Sequence, residues 1–218
     1  MAETNAKRVY DFVKDRIDRI LSIGNPGEQK AVLANLRRGL GHKPGEIPEL
    51  MDIFLEGLPK DLYEKKQSLC VEETEPTEAE WAIYTALTLF AMHQQRHKIE
   101  KELMHQENIG FGEAMAKLVH GENEKEKCKV LKRIRRKFNM AATAADIEEV
   151  AWHIKSAVQL LSAEDKGIPL DYAMLARDLY RFQSPDSRES VQLEWGRDFY
   201  RQLDKQDKPD SKEDQNNV

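Results

Sequence analysis

Apolar positions recur along this chain at a stride of three and four, the repeat of one face of an α-helix. Val9, Phe12, Val13, Ile17, Ile20 and Leu21 form one such stripe, with charges between them, and Gly24 ends it. Asn25-Pro-Gly-Glu28 reads as the next helix start: Asn25 can cap, Pro26 fits the first helical position and Glu28 can complete a capping box. That helix carries Val32, Leu33 and Leu36 and stops at Gly39, a good C-terminal glycine. Two shorter patterns follow: Ile47, Leu50, Met51, Phe54, Leu55, then Leu58, Leu62, Tyr63.

An acidic stretch (Glu72, Glu73, Glu75, Glu78, Glu80) leads into a second capping box, Thr77 with Glu80. It opens Trp81 to Met92, which is apolar on every side and therefore reads as the central buried helix. The pattern dissolves into charge between His97 and Gly110. It resumes with Phe111, Met115 and Leu118, a helix from about Lys125 to Met140, another over Asp146 to Leu161, and a third over Leu170 to Phe182. After Ser184-Pro185 a last helix shows Val191, Trp195, Phe199 and Leu203 at a stride of four. Trp81, Trp152 and Trp195 are read as core anchors. Strand alternation and hairpin turns are missing. The expectation is an all-α protein of two small helical bundles, 1–97 and 111–203, joined by a connection over 98–110. Residues 204–218, all but devoid of apolar side chains, are expected to be a disordered tail.

The chain has 218 residues, 40% hydrophobic and 33% charged, with net charge −5 and pI about 5.8. That balance argues against a general nucleic-acid coat, so any such contact must come from local basic patches. Two isolated cysteines, Cys70 and Cys128, make neither a disulfide framework nor a zinc cluster. The N-terminus lacks the apolar core of a signal peptide and no run is long enough for a bilayer, so a cytoplasmic location without membrane contact is expected.

The most informative segment is 125–137, with eight basic residues and one acid, Glu126. At 100° per residue Leu131, Ile134 and Phe138 share a narrow core face. Lys129, Lys132, Arg133 and Arg136 lie opposite, with Arg135 at the margin. Such a ridge suits the regular charge of a phosphate backbone; a solvated, acid-paired face is the alternative. Arg37 and Arg38 end a helix, where its dipole already favours cations. Arg177 and Arg181, like Arg197 and Arg201, are spaced to pair with Asp178, Glu194 or Asp198.

Signs of catalysis are weak. His93 and His97 are four apart on one helix, yet no Glu follows in the metalloprotease pattern, so surface or capping histidines are expected. Cys128 has no base assigned beside it, and Phe111-Gly112 reads as a tight turn rather than a phosphate cradle. Nucleotide and hydrolase motifs are missing. No cofactor, no metal and no enzymatic activity are expected.

Several blocks in order carry a resemblance: Leu36-Arg-Arg-Gly39, Trp81 with Leu89-Phe-Ala-Met-His-Gln-Gln95, Gly110-Phe-Gly112, Arg135-Arg-Lys-Phe138, Leu170 to Leu179, and Trp195-Gly-Arg-Asp-Phe-Tyr-Arg201. From Val9 to Arg201 the chain resembles the CasB-type small subunits of the type I-E CRISPR Cascade complex. That resemblance implies an all-helical, non-catalytic subunit. Two copies would pack head to tail against the backbone subunits that hold the guide RNA, with the large subunit also in the complex. Basic residues would help hold guide RNA, target DNA and the displaced strand, while a separate helicase-nuclease cuts. By matching blocks it points to Arg37, Arg38, Arg135, Arg136 and Arg177; Lys132 and Arg133 come from the helical-face argument alone. The competing readings are an all-helical protein–protein adaptor without a nucleic-acid role, a small metal- or thiol-dependent enzyme, and a free-standing RNA-binding regulator.

Overall fold

The computed structural model describes residues 2–64 and 75–207. Within them lie ten α-helices: α1 (Ala2–Leu21), α2 (Pro26–Arg38), α3 (Met51–Leu55), α4 (Lys60–Tyr63), α5 (Glu78–His93), α6 (Phe111–Lys117), α7 (Glu124–Ala142), α8 (Ile147–Ala163), α9 (Tyr172–Phe182) and α10 (Pro185–Asp207). Strand-like pairing among the described residues is limited to one bridge between His105 and Leu170. The fold is all-α, as the periodicity required.

The caps explain several starts. The Asn25 side chain accepts from the amides of Gly27 and Glu28, and Pro26 takes the first helical position. At α5 the Thr77 hydroxyl accepts from Glu80 N at 3.2 Å while the Glu80 carboxylate accepts from Thr77 N at 2.7 Å. Each such cap is worth about 1 kcal/mol.

Helix α5 is buried at every position from Ala82 to Ala91, and α2, α8 and α9 pack around it. Helix α9 also lies along α1 and touches α10, while α6 is seated against α10. The buried apolar cluster extends from Val9 on α1 to Leu203 on α10. Segment 98–110 is tied to the start of α9. Asp171 N donates to Ile109 O (2.8 Å), Leu170 N to Met104 O (3.2 Å), and Asn108 N to the Asp171 carboxylate (2.9 Å).

Two glycines mark close approaches. Gly39 closes α2 with right-handed φ of −69°, so the turn does not need a glycine there; the left-handed residue is Gly41, at φ 89°. A Cβ on Gly39 would meet Thr88 Cγ2 and the Tyr84 hydroxyl at 2.8 Å, so glycine is what lets α2 end against α5. Gly112 sits in the first turn of α6 rather than in a tight turn. A Cβ there would fall onto the Trp195 carbonyl oxygen, 2.9 Å from its carbon and 3.0 Å from Phe199 N.

Other expectations need correction. Trp195 is buried, but Trp152 is 64% exposed on the outer side of α8 and is no core anchor. His93 is fully buried, its Nδ1 sharing a 2.8 Å hydrogen bond with the Tyr172 hydroxyl. The His97 ring is held between Glu102 (3.0 Å) and the Ser162 carbonyl (3.1 Å). Neither is a surface histidine, and the two do not share a helix: His93 ends the enclosed α5, while His97 follows a short 3-10 turn in extended backbone. The chain stays helical through Asp207, where Asp207 ion-pairs with Lys127, so 204–207 belong to α10 and not to a disordered tail. Residues 208–218 of that tail, Cys70, Glu72 and Glu73 lie outside the described residues.

Candidate nucleic-acid interface

Helix α7 begins with Asn123 capping Glu126 N at 3.0 Å and lies against α8 and α6. Its core face is Ile134 and Phe138, with Leu131 partly buried. Phe138 stacks on Phe111 and Phe199, with centroids 6.0 and 4.8 Å away. Burial of that face fixes the rotation of the helix. Lys125, Lys129, Lys132, Arg133, Arg135 and Arg136 are all left exposed.

What sets these cations apart is their concentration on one helix. On the flanks Lys127 pairs with Asp207 and Lys137 donates to Ser156 Oγ at 3.0 Å. Among the described residues, Lys129, Lys132, Arg133, Arg135 and Arg136 have no ion-pair partner. Elsewhere several basic residues are matched by carboxylates. Arg8 pairs with Asp61, Lys14 with Glu107 at 2.7 Å and Lys43 with Glu148 at 2.8 Å. The α7 ridge is therefore a concentration of unneutralised charge on an acidic protein.

The other residues singled out in the sequence lie apart from it. Lys132, Arg133, Arg135 and Arg136 share α7, whereas Arg37 and Arg38 end α2 and Arg177 is on α9. Arg38 is exposed. Arg37 is half-buried and its Nη1 donates to Ala91 O at 3.3 Å. Arg177 grips one oxygen of its neighbour Asp178 through Nε (3.0 Å) and Nη2 (2.7 Å). The other Asp178 oxygen accepts from Trp195 Nε1 at 2.8 Å. Burial pushes the Asp178 carboxyl up, and Arg177 and the indole oppose that shift. The expected acids are found as partners in three pairs, Arg177–Asp178, Arg181–Glu194 and Arg201–Asp198, but only the last follows helical spacing; Arg177 grips its chain neighbour and Arg181 reaches across from α9 to α10.

Cations that sequence reading passed over gather near Arg37. Lys30, Arg96 and Lys98 line an open cleft of about 830 Å³ with it, between α2 and residues 94–100. A smaller hollow of about 310 Å³ lies between residues 39–46, α5 and α8, with Trp81 and Trp152 among its walls. Cys128 is an exposed free thiol. Among the described residues no group of three or more His, Cys, Asp or Glu is placed to hold a metal ion, and no helix is long and apolar enough to cross a membrane.

Comparison with known proteins adds the following. Residues 32–200 match the profile of the family described as CRISPR-associated protein Cse2. No curated protein matches the chain. Among solved structures, CasB from Thermobifida fusca is similar at TM-score 0.65 and 31% identity, over 88% of this chain and 98% of that one. CasB from Thermus thermophilus gives TM-score 0.56 at 24% identity, over 89% and 97%. A chain of a CRISPR RNA-guided surveillance complex gives 0.61 at 18% identity, over 91% and 96%. The last two likenesses are of fold.

Proposed function

The chain belongs to the family of CRISPR-associated protein Cse2, and from that premise we propose that it is a non-catalytic subunit of an RNA-guided surveillance complex of the type I-E Cascade kind. In this reading it sits with a second copy of itself against the backbone and large subunits. Its basic surface contacts guide RNA and target DNA and steadies the displaced strand. Base pairing would read sequence, while the protein holds phosphates.

The observation that carries the reading is the α7 ridge: five exposed cations, Lys129, Lys132, Arg133, Arg135 and Arg136, unpaired among the described residues. These five cations fall within eight residues of one helix, 129–136, whereas the flanking Lys127 pairs with Asp207. Arg38 adds an exposed cation at the end of α2. Arg177 contributes through whatever donors its grip on Asp178 leaves open.

The test has two stages. Co-expressed with the other Cascade subunits and a guide RNA, this chain is expected to co-purify when a different subunit is pulled. Binding of single-stranded DNA is then measured against salt. Engagement of about five phosphates gives a log–log slope near −3.5, from about −0.7 per contact, and Arg135→Ala with Arg136→Ala makes it shallower by about 1.4. A slope near zero rejects electrostatic clamping by the free subunit.

A second reading, the protein–protein adaptor, draws on Trp152, exposed on the wall of the 310 Å³ hollow. It predicts that the Arg135/Arg136 double variant works normally while Trp152→Ser fails to assemble.

A further inference from the structure

The cleft between α2 and residues 94–100 carries cations on both walls, drawn from distant parts of the sequence. Lys30 and Arg37 lie on the same face of α2, seven residues apart. Arg96 and Lys98 face them from the segment that follows α5, and the acid on this lining is Glu100. Lys30, Arg96 and Lys98 are exposed, with no ion-pair partner among the described residues.

Arg37 is the informative member. Its guanidinium is half-buried, and its hydrogen bond within the described residues goes to a backbone carbonyl, Ala91 O, with no carboxylate as partner. A cation drawn out of water is normally matched by a counter-charge. Here the C-terminal ends of α2 and α5 supply part of it through their dipoles. Those ends leave guanidinium donors without a strong acceptor, and burial lowers the Arg37 pKa with no acid to offset it. The facing wall is rigid. The buried Gln94 amide donates to the carbonyls of His97 and Glu102 at 3.0 Å each and accepts from Met104 N at 2.9 Å. His97 is pinned on both ring nitrogens. Arg96 and Lys98 are therefore presented by a fixed scaffold and not by a loose loop.

We propose that this cleft is a second anion site, separate from the α7 ridge, which takes the phosphodiester backbone of a single nucleic-acid strand with Arg37 as its half-buried anchor. The proposal rests on the reading of the chain as a nucleic-acid-binding subunit and adds to it a place and four residues. An open groove of about 830 Å³, cationic on both walls, follows the general design of single-strand channels. The strand can be RNA or DNA; both present the same phosphates, and the test separates them.

The experiment uses the assembled complex with guide RNA and target DNA. A benzoylphenylalanine replaces Ala34, an exposed residue of the cleft lining, and the complex is irradiated. A protein–nucleic-acid adduct is expected, and nuclease specificity identifies the strand as RNA or DNA. The adduct should be lost in the triple variant Lys30→Ala, Arg96→Ala, Lys98→Ala, which leaves Arg37 and the Gln94 scaffold in place. In parallel, that triple variant should make the salt slope for a labelled single strand shallower by about 2. Adducts to polypeptide alone, or an adduct that survives the triple variant, overturn the cleft. If the triple variant is silent while Arg135→Ala with Arg136→Ala weakens binding, the cleft is wrong and the ridge stands. If neither variant changes binding, both fall.

Discussion

Gly112→Ala and Gly196→Ala make the same chemical change in two helices and should move stability in opposite directions. In α6 the new methyl of Gly112→Ala would land on the backbone of α10, 2.9 Å from the Trp195 carbonyl carbon and 3.0 Å from Phe199 N. The Trp195 carbonyl oxygen lies nearer still, so more than about an ångström must come from moving a helix, because no flexible side-chain end is there to yield. That movement also loosens the seating of Phe111 on Trp195, whose rings lie 4.9 Å apart. Overpacking of this kind costs about 1–3 kcal/mol and outweighs the gain of up to about 1 kcal/mol in helix propensity. Gly196 lies in mid-α10 with nothing within 4 Å of its Cβ position, so alanine there should add about 0.5–1 kcal/mol. At about 2–4 °C per kcal/mol for a chain of this length, Gly112→Ala should lower Tm by several degrees and Gly196→Ala should raise it by about 2 °C. Thermal and urea unfolding followed by circular dichroism measure both. A Gly112→Ala protein as stable as wild type would refute the close α6–α10 approach.

Three further outcomes are expected. His93 is held down to about 3 by burial, with His97 repelling its proton, whereas the unfolded chain takes that proton near 6.5. Between those values the unfolded state binds more protons, so stability is full above pH 6.5 and falls with pH by about 1.4 kcal/mol per unit; buried His105 shifts the same way. Urea unfolding at pH 7 and pH 5 should differ by about 2 kcal/mol from His93 alone, and His93→Gln should remove that part of the slope. Trp195→Phe strips the indole donor from buried Asp178 and opens space beside Phe111 and Phe182, so it should cost about 2–4 kcal/mol in chemical denaturation. Trp152→Phe should change stability by less than about 0.5 kcal/mol yet remove most of the acrylamide-quenchable fluorescence.

What was legible in the sequence followed from local physics. The Thr77–Glu80 box, the Asn25 cap, the all-round apolar α5 and the amphipathic face of α7 need only neighbours within one or two turns. The exposure of Trp152 was legible too. On α8 it lies about 200° from Val150, opposite the stripe of Ile154, Val158 and Leu161, and only the prior that tryptophans are core hid it. His93 was misjudged because it ends a helix, although a helix enclosed on every side buries its last turn as well. Other features depend on which elements meet. The role of Gly112 is set by the Trp195 backbone, a partner far along the chain. The cleft joins Lys30 to Arg96 and Lys98 through the packing of α2 on α5, which no periodicity encodes.

The acidic balance and the basic ridge fit one physical scheme. With net charge −5, the long-range field of the chain repels a polyanion. At physiological ionic strength that field is screened beyond about 8 Å, so only the cations nearest a strand are felt. A surface of this kind gives little capture from solution and little non-specific coating of bulk nucleic acid. In the proposed complex, where neighbouring subunits would bring a strand beside the ridge, the same five or so contacts would act at an effective concentration in the millimolar range, at which weak attraction suffices. Elsewhere several cations are matched by carboxylates, as Arg8 with Asp61 and Arg181 with Glu194. The strength of the ridge therefore has to be measured in the assembled complex, where neutralising it should cost more than the free chain would reveal.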